Sequence, residues 1–137
     1  MRVVLDTNVV VSGFLNPHGA PGTLVRLAAS GELQLCYDSR ILSEYREVLA
    51  RPKFGLDPEA LNDFLEQVEA DGFPVDPAPL ARRLPDPTDE PFLEAAVAGR
   101  AVCLVTGNLR HFPANRRCGV RVLSPAPAVD LVRGWVD

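Results

Sequence analysis

Lysine is nearly absent from this chain: of 14 basic residues only Lys53 is a lysine, and the rest are arginine. With 13 prolines and abundant alanine, that usage speaks of a GC-rich coding composition and not of a reaction. Histidine is scarce as well, with only His18 and His111. The three cysteines, Cys36, Cys103 and Cys118, show no C-x-x-C spacing and none stands beside a histidine. Zinc and disulfide chemistry are therefore not expected, and Cys36 and Cys103, inside apolar runs, read as reduced core thiols. No apolar run approaches the roughly 20 residues that cross a bilayer, so no membrane association is expected. The opening Met1-Arg2-Val3-Val4-Leu5-Asp6 is too short and too soon acidic for a secretory signal, which makes the cytoplasm the expected location. A net charge of −4 argues against a surface coated in basic groups for duplex DNA, while leaving room for a local basic rim.

What the chain does have is enough apolar material for one core. Its 137 residues, 47% hydrophobic and 23% charged, fit a single domain over 1–137. Val3-Val4-Leu5 and Val102-Cys103-Leu104-Val105 are short, β-branched and wholly apolar, as strands buried on both faces of a parallel sheet are. Strands are expected at 2–6, 33–37, 101–105 and 120–123. Residues 12–22 read as a loop. Helices are expected around Leu24, Val25, Leu27 and Ala28, around Ile41 to Leu49 behind a cap at Asp38 or Ser39, and from Asp57-Pro58 to Gly72. After Phe73, five prolines make 74–87 a stiff passage with a short strand. Thr88 is expected to cap a helix, and Ser124-Pro125 to begin the last one. The alternation gives a three-layer α/β/α sandwich with a mostly parallel central sheet.

Both apolar runs stop on polar residues, the first on Asp6-Thr7-Asn8 and the second on Thr106-Gly107-Asn108. In open parallel sheets ligands bind beyond the carboxyl ends of the strands, so Asp6, Thr106 and Asn108 should face one crevice. A lone carboxylate buried there costs several kcal/mol unless it is paired, protonated or metal-bound. Glu44 lies at the edge of its helix's apolar stripe, where it either leans into the crevice or stays a solvated flank residue. Asp89 lies three residues before Phe92 at a helix start, where the macrodipole should keep it ionised. Capping is the plain alternative for Asp89, and Asp86 or Glu90 could serve equally well, with Asp86, before Pro87, reading as a loop acid or a neighbour of the site. Oxygen ligands without histidine are the chemistry of Mg²⁺ or Mn²⁺.

Taken in order, Val-Val-Leu-Asp-Thr-Asn-Val at 3–9, Ser-Glu-Tyr at 43–45, Asp-Pro-Thr-Asp-Glu-Pro-Phe-Leu at 86–93 and Leu-Val-Thr-Gly-Asn at 104–108 resemble a PIN domain. Arg-Pro-Lys-Phe at 51–54 and Leu-Ser-Pro at 123–125 extend the resemblance over essentially the whole chain. It is similar in particular to the prokaryotic, VapC-like PIN proteins of toxin–antitoxin pairs. The resemblance implies a Mg²⁺- or Mn²⁺-dependent endoribonuclease, with Asp6, Glu44 and Asp89 as the catalytic, metal-binding acids. It also implies that Asn8 orients Asp6, that Thr106 positions a ligand or water, and that a metal-bound water attacks phosphorus to leave 5′-phosphate and 3′-hydroxyl ends. A cognate antitoxin and a homodimer follow from the same likeness. Many relatives have a fourth acid where this chain has Asn108, which leaves Asn108 as a weak metal ligand.

Arg110, Arg116 and Arg117 form the best basic cluster and are candidates for RNA phosphates, with a merely solvated loop as the alternative. Arg82-Arg83 is a weaker candidate, and His111 reads as a structural or surface histidine, not a catalytic base. The helix around Leu61, Phe64 and Leu65 is expected to supply an apolar self-contact. Two other functional readings stand beside the nuclease. One is a PIN fold that has lost catalysis and binds RNA or protein. The other is phosphoryl transfer through an aspartyl phosphate, which Asn8 disfavours because such phosphatases want a second Asp there.

Overall fold

The computed structural model describes residues 1–136. In chain order it runs β1 (Arg2–Leu5), α1 (Thr7–Leu15), α2 (Ala20–Ala29), β2 (Gln34–Tyr37), α3 (Ser39–Leu49), α4 (Pro58–Asp71), β3 (Phe73–Pro74), α5 (Glu90–Ala98), β4 (Cys103–Val105), β5 (Val122–Leu123) and α6 (Pro125–Val136). Short 3-10 turns stand at Pro52–Phe54, Pro87–Asp89, Leu109–His111 and Ala114–Arg116. The strands form one parallel sheet in the order β3-β2-β1-β4-β5. With helices packed against it, this is the α/β/α architecture expected from the alternation of elements.

Val3, Val4 and Leu5 of β1 and Cys103, Leu104 and Val105 of β4 are fully buried, which is why these runs carry no polar alternation. The free thiols of Cys36 and Cys103 lie inside β2 and β4, and burial pushes each up to about 11, so both stay protonated and inert. β1 pairs with β4 through Leu5 and Val105, and the Asp6 amide donates to the Val105 carbonyl at 2.9 Å. Chain order reverses between β1 and β4, so the crevice beyond their carboxyl ends is the switch point of the sheet.

Several local expectations give way. Of residues 12–22 only 16–19 are a loop: α1 starts at Thr7, directly after β1, and runs to Leu15, and α2 starts at Ala20. Three consecutive valines, Val9 to Val11, and Gly13 are poor helix formers, but Val9 and Val10 reach the core only if the chain turns helical here. Gly13 lets α2 come close, since a Cβ there would fall 2.5 Å from Val25 Cγ2. The helix start near Thr88 is capped by Asp86 instead, whose carboxylate accepts from the Thr88 amide at 3.0 Å and its hydroxyl at 2.8 Å. The turn Pro87–Asp89 then leads into α5. The strand after α4 begins at Phe73, one residue ahead of the proline-rich passage.

Leu61, Phe64 and Leu65 are buried within the chain, and Phe64 packs edge-on against Phe14 with ring centroids 5.4 Å apart. The apolar face of α4 is thus consumed by α2 and α3 and is not free for a self-contact. Among the described residues no helix is long and apolar enough to cross a membrane.

Candidate metal centre at the sheet switch point

Asp6 follows β1 directly, at the N-cap position of α1, and is 5% exposed. Its Oδ2 accepts from the Thr106 hydroxyl at 2.9 Å and from the Asn8 amide at 3.4 Å. Thr106 accepts in turn from the Asn108 backbone N–H at 3.0 Å, and Asn8 Oδ1 from the Gly107 N–H at 3.0 Å. The first turn of α1 and the loop after β4 are therefore stitched to each other across Asp6, and the carboxylate is held in one orientation. Burial raises its pKa despite these bonds.

Glu44 reaches the same place from α3. Its neighbour Tyr45 is buried, and the Tyr45 hydroxyl donates to the Leu5 carbonyl at 2.5 Å, which anchors α3 to the end of β1. That anchor puts half-buried Glu44 against Thr7, whose hydroxyl donates to its Oε2. Burial raises the Glu44 carboxyl, and the charge of Asp6 adds to the effect. Glu47 on the same helix is exposed and pairs with Arg51.

Asp89 closes the crevice from the start of α5. It makes no capping bond, and its carboxyl is pushed up to about 6, by burial first and the Asp6 charge second. A carboxyl at about 6 is still largely ionised at neutral pH, as expected, but burial beside two other acids outweighs the half unit of positive charge at the helix end and raises the pKa where the macrodipole alone would lower it. The other two acids weighed for this position do different work. Asp86 caps the turn, and Glu90 is tied to Arg83 and to the Leu84 N–H.

His111, given no role from the sequence, stands here with Nδ1 3.0 Å from Asp89 Oδ2 and Nε2 2.8 Å from the Asn108 side-chain amide. The Asp89 oxygen is nonetheless buried without an aligned hydrogen bond. The spacing of Asn108 and His111 around one 3-10 turn, followed by the buried Phe112, was the available signal. Thr7 and Tyr45 were likewise passed over. Asn108 turns its amide toward His111 and not into the group of acids.

The basic cluster divides. Arg110 is exposed, and its side chain has no ion pair or hydrogen bond among the described residues. Arg116 donates to the Arg83 carbonyl at 2.6 Å and Arg117 to the Phe112 carbonyl at 2.8 Å, so both help to fold the loop they sit on.

Asp6, Glu44 and Asp89 feel one another's charge, yet no arginine or lysine forms an ion pair with any of them among the described residues. As placed, no three His, Cys, Asp or Glu side chains among the described residues stand close enough together to hold an ion. By kind the donors fit a hard divalent cation: carboxylate oxygens, one of them buried and without a hydrogen bond.

A parallel-sheet α/β protein with converging acids at its switch point is the class that fold and crevice define. Residues 2–110 match the PIN domain family, and the chain belongs to it. Members of this family are generally nucleases, and a nuclease role follows for this chain. No curated protein and no solved structure matches the chain.

Proposed function

We propose that residues 1–137 act as a metal-dependent endoribonuclease, with Asp6, Asp89 and Glu44 holding Mg²⁺ or Mn²⁺. The observation that carries this reading is that three buried or half-buried acids feel one another's charge while, among the described residues, none forms an ion pair with an arginine or lysine and only His111 contacts Asp89. When bound there, a divalent cation supplies charge stabilisation at the phosphoryl oxygens and a lowered pKa for water. Thr106 and Asn8 fix the Asp6 carboxylate so that it need not reorganise during reaction. Thr7 does the same for Glu44. Arg110, exposed and without an ion pair or hydrogen bond among the described residues, is the first candidate for an RNA phosphate; Arg116 and Arg117, bonded to backbone carbonyls, are weaker ones.

The likeness to toxin–antitoxin proteins further supports a toxin role, with a cognate antitoxin protein and a homodimer as partners. The buried face of α4 does not supply the dimer contact. A second reading, an RNA- or protein-binding module without catalysis, is favoured by Asn108, an amide where the resemblance implies that many PIN proteins have an acid. RNA cleavage in Mn²⁺ or Mg²⁺ by the purified chain, abolished by chelation and by Asp6→Asn, is the expected result. Cleavage that survives Asp6→Asn, or RNA binding with no cleavage in either metal, would favour the second reading.

A further inference from the structure

The contact between Asp89 and His111 is close in distance but wrong in alignment for a hydrogen bond. Nδ1 lies 3.0 Å from Oδ2, yet that buried oxygen receives no aligned N–H. A ring proton directed at the carboxylate would have made one. Two atoms on adjacent corners of an octahedral ion, each at about 2.1 Å from it, stand about 3 Å apart. The separation is that of two ligands of one cation.

The far side of the ring agrees. A metal-binding histidine needs its other nitrogen engaged as a donor, which fixes the tautomer and leaves the ligating nitrogen bare. Nε2 is 2.8 Å from the Asn108 carboxamide. A half-turn of that group presents its oxygen, which takes the Nε2–H and leaves the Nδ1 lone pair facing the crevice. The imidazole is 42% exposed, so an ion has access to it, while Asp89 beneath is 10% exposed.

We propose that His111 Nδ1 is a further metal ligand beside Asp89, supported from behind by Asn108, and that this nitrogen biases the site toward Mn²⁺ and related transition ions over Mg²⁺. The proposal rests on the metal reading given under Proposed function. Asn108 then has a role different from the acid it replaces: it touches the histidine, not the cation. Mg²⁺ disfavours a nitrogen donor where first-row transition ions accept imidazole readily.

Calorimetric titration of Mn²⁺ and Mg²⁺ into the wild type, His111→Ala and Asp6→Asn, with electron spin echo of the bound Mn²⁺, tests it. The wild type should show nitrogen modulation and prefer Mn²⁺ by on the order of tenfold. His111→Ala should lose the modulation and about tenfold in Mn²⁺ affinity, with Mg²⁺ affinity nearly unchanged. Mn²⁺ binding that Asp6→Asn abolishes but His111→Ala leaves intact would overturn this proposal and keep the metal reading. No nitrogen modulation in the Mn²⁺-loaded wild type would do the same without any variant. Failure of the wild type to bind either ion would overturn both.

Discussion

Asp89 and Glu90 are adjacent in the chain, both 7% exposed, and lead opposite chemical lives. Glu90 accepts from Arg83 Nε at 3.0 Å and from the Leu84 N–H at 2.9 Å, and those bonds hold its carboxyl below the usual range. Glu94, one helical turn on, binds Arg40 at 2.8 Å and the Leu80 N–H at 3.4 Å. Together they clamp the proline-rich passage to α5. Asp89 turns the other way, toward Asp6, and its carboxyl rises to about 6. Burial is the same on both sides of α5, so burial alone does not mark a site. What separates structure from candidate chemistry is the sign of the neighbours: acids that answer arginines and amides hold the fold, and acids that face other acids are the ones to which the proposed cation is assigned.

The largest test of that contrast is catalytic. A bound cation contributes several kcal/mol to phosphodiester cleavage, and each 1.36 kcal/mol is tenfold in rate. Asp89→Asn should therefore lower turnover of an RNA substrate by about a thousandfold, while Glu94→Gln leaves it within a small factor. Equal losses in the two variants would erase the distinction drawn between the two sides of α5.

Stability should move the opposite way. An acid whose folded pKa is raised takes up protons on folding, so native stability falls as pH rises from the unfolded value, 3.8, to the folded value of about 6. Below that window the native protein suffers no penalty, and above it the penalty is complete. In chelator, Asp89→Asn should gain about 2 kcal/mol over the wild type near pH 7 and little near pH 4. Urea unfolding at the two pH values measures it. A variant less stable than the wild type at neutral pH would mean that Asp89 is paired after all.

Glu94→Ala sharpens the other half of the comparison. It leaves the Leu80 N–H and the Arg40 guanidinium without their shared partner, and a loss of about 1 to 2 kcal/mol is expected. Arg40 also binds Asp38 and is half exposed, which keeps the loss modest. Mn²⁺ titration of this variant should match the wild type.

How much of this was legible beforehand follows the same divide. Apolar runs 3–5 and 102–105 dictated buried parallel strands, and the polar residues that end them located the crevice. The stripe of Ile41, Tyr45 and Leu49 placed α3 and left Glu44 at its flank. Helix α1 was hidden because a valine run with a glycine reads as strand or loop until the core it fills is known. The partner of each acid was hidden too: that Glu90 meets Arg83 depends on how the proline-rich passage folds back over α5, and that Asp89 meets His111 depends on where the 3-10 turn after β4 falls. The burial of Leu61, Phe64 and Leu65 was invisible for a similar reason, since an apolar stripe does not reveal whether its cover is the same chain or another.

The smallest effect, and the one that probes the crevice most finely, is expected at Asn108. Its amide lies against His111 and its backbone N–H against Thr106, so an acid here would sit behind the histidine and within reach of the cation's field. Asn108→Asp would accept the Nε2–H as a carboxylate, make the imidazole a stronger donor, and add one negative charge to the crevice. Solvent at the mouth attenuates the Coulomb gain, which leaves on the order of 1 kcal/mol, or about fivefold to tenfold in Kd for Mn²⁺. Because most of the gain travels through the ring, the double variant with His111→Ala should show much less of it. Calorimetry on the four proteins of that cycle decides the matter: a gain that survives the loss of His111 would place residue 108 on the cation directly, and no gain in either background would place it beyond the cation's reach.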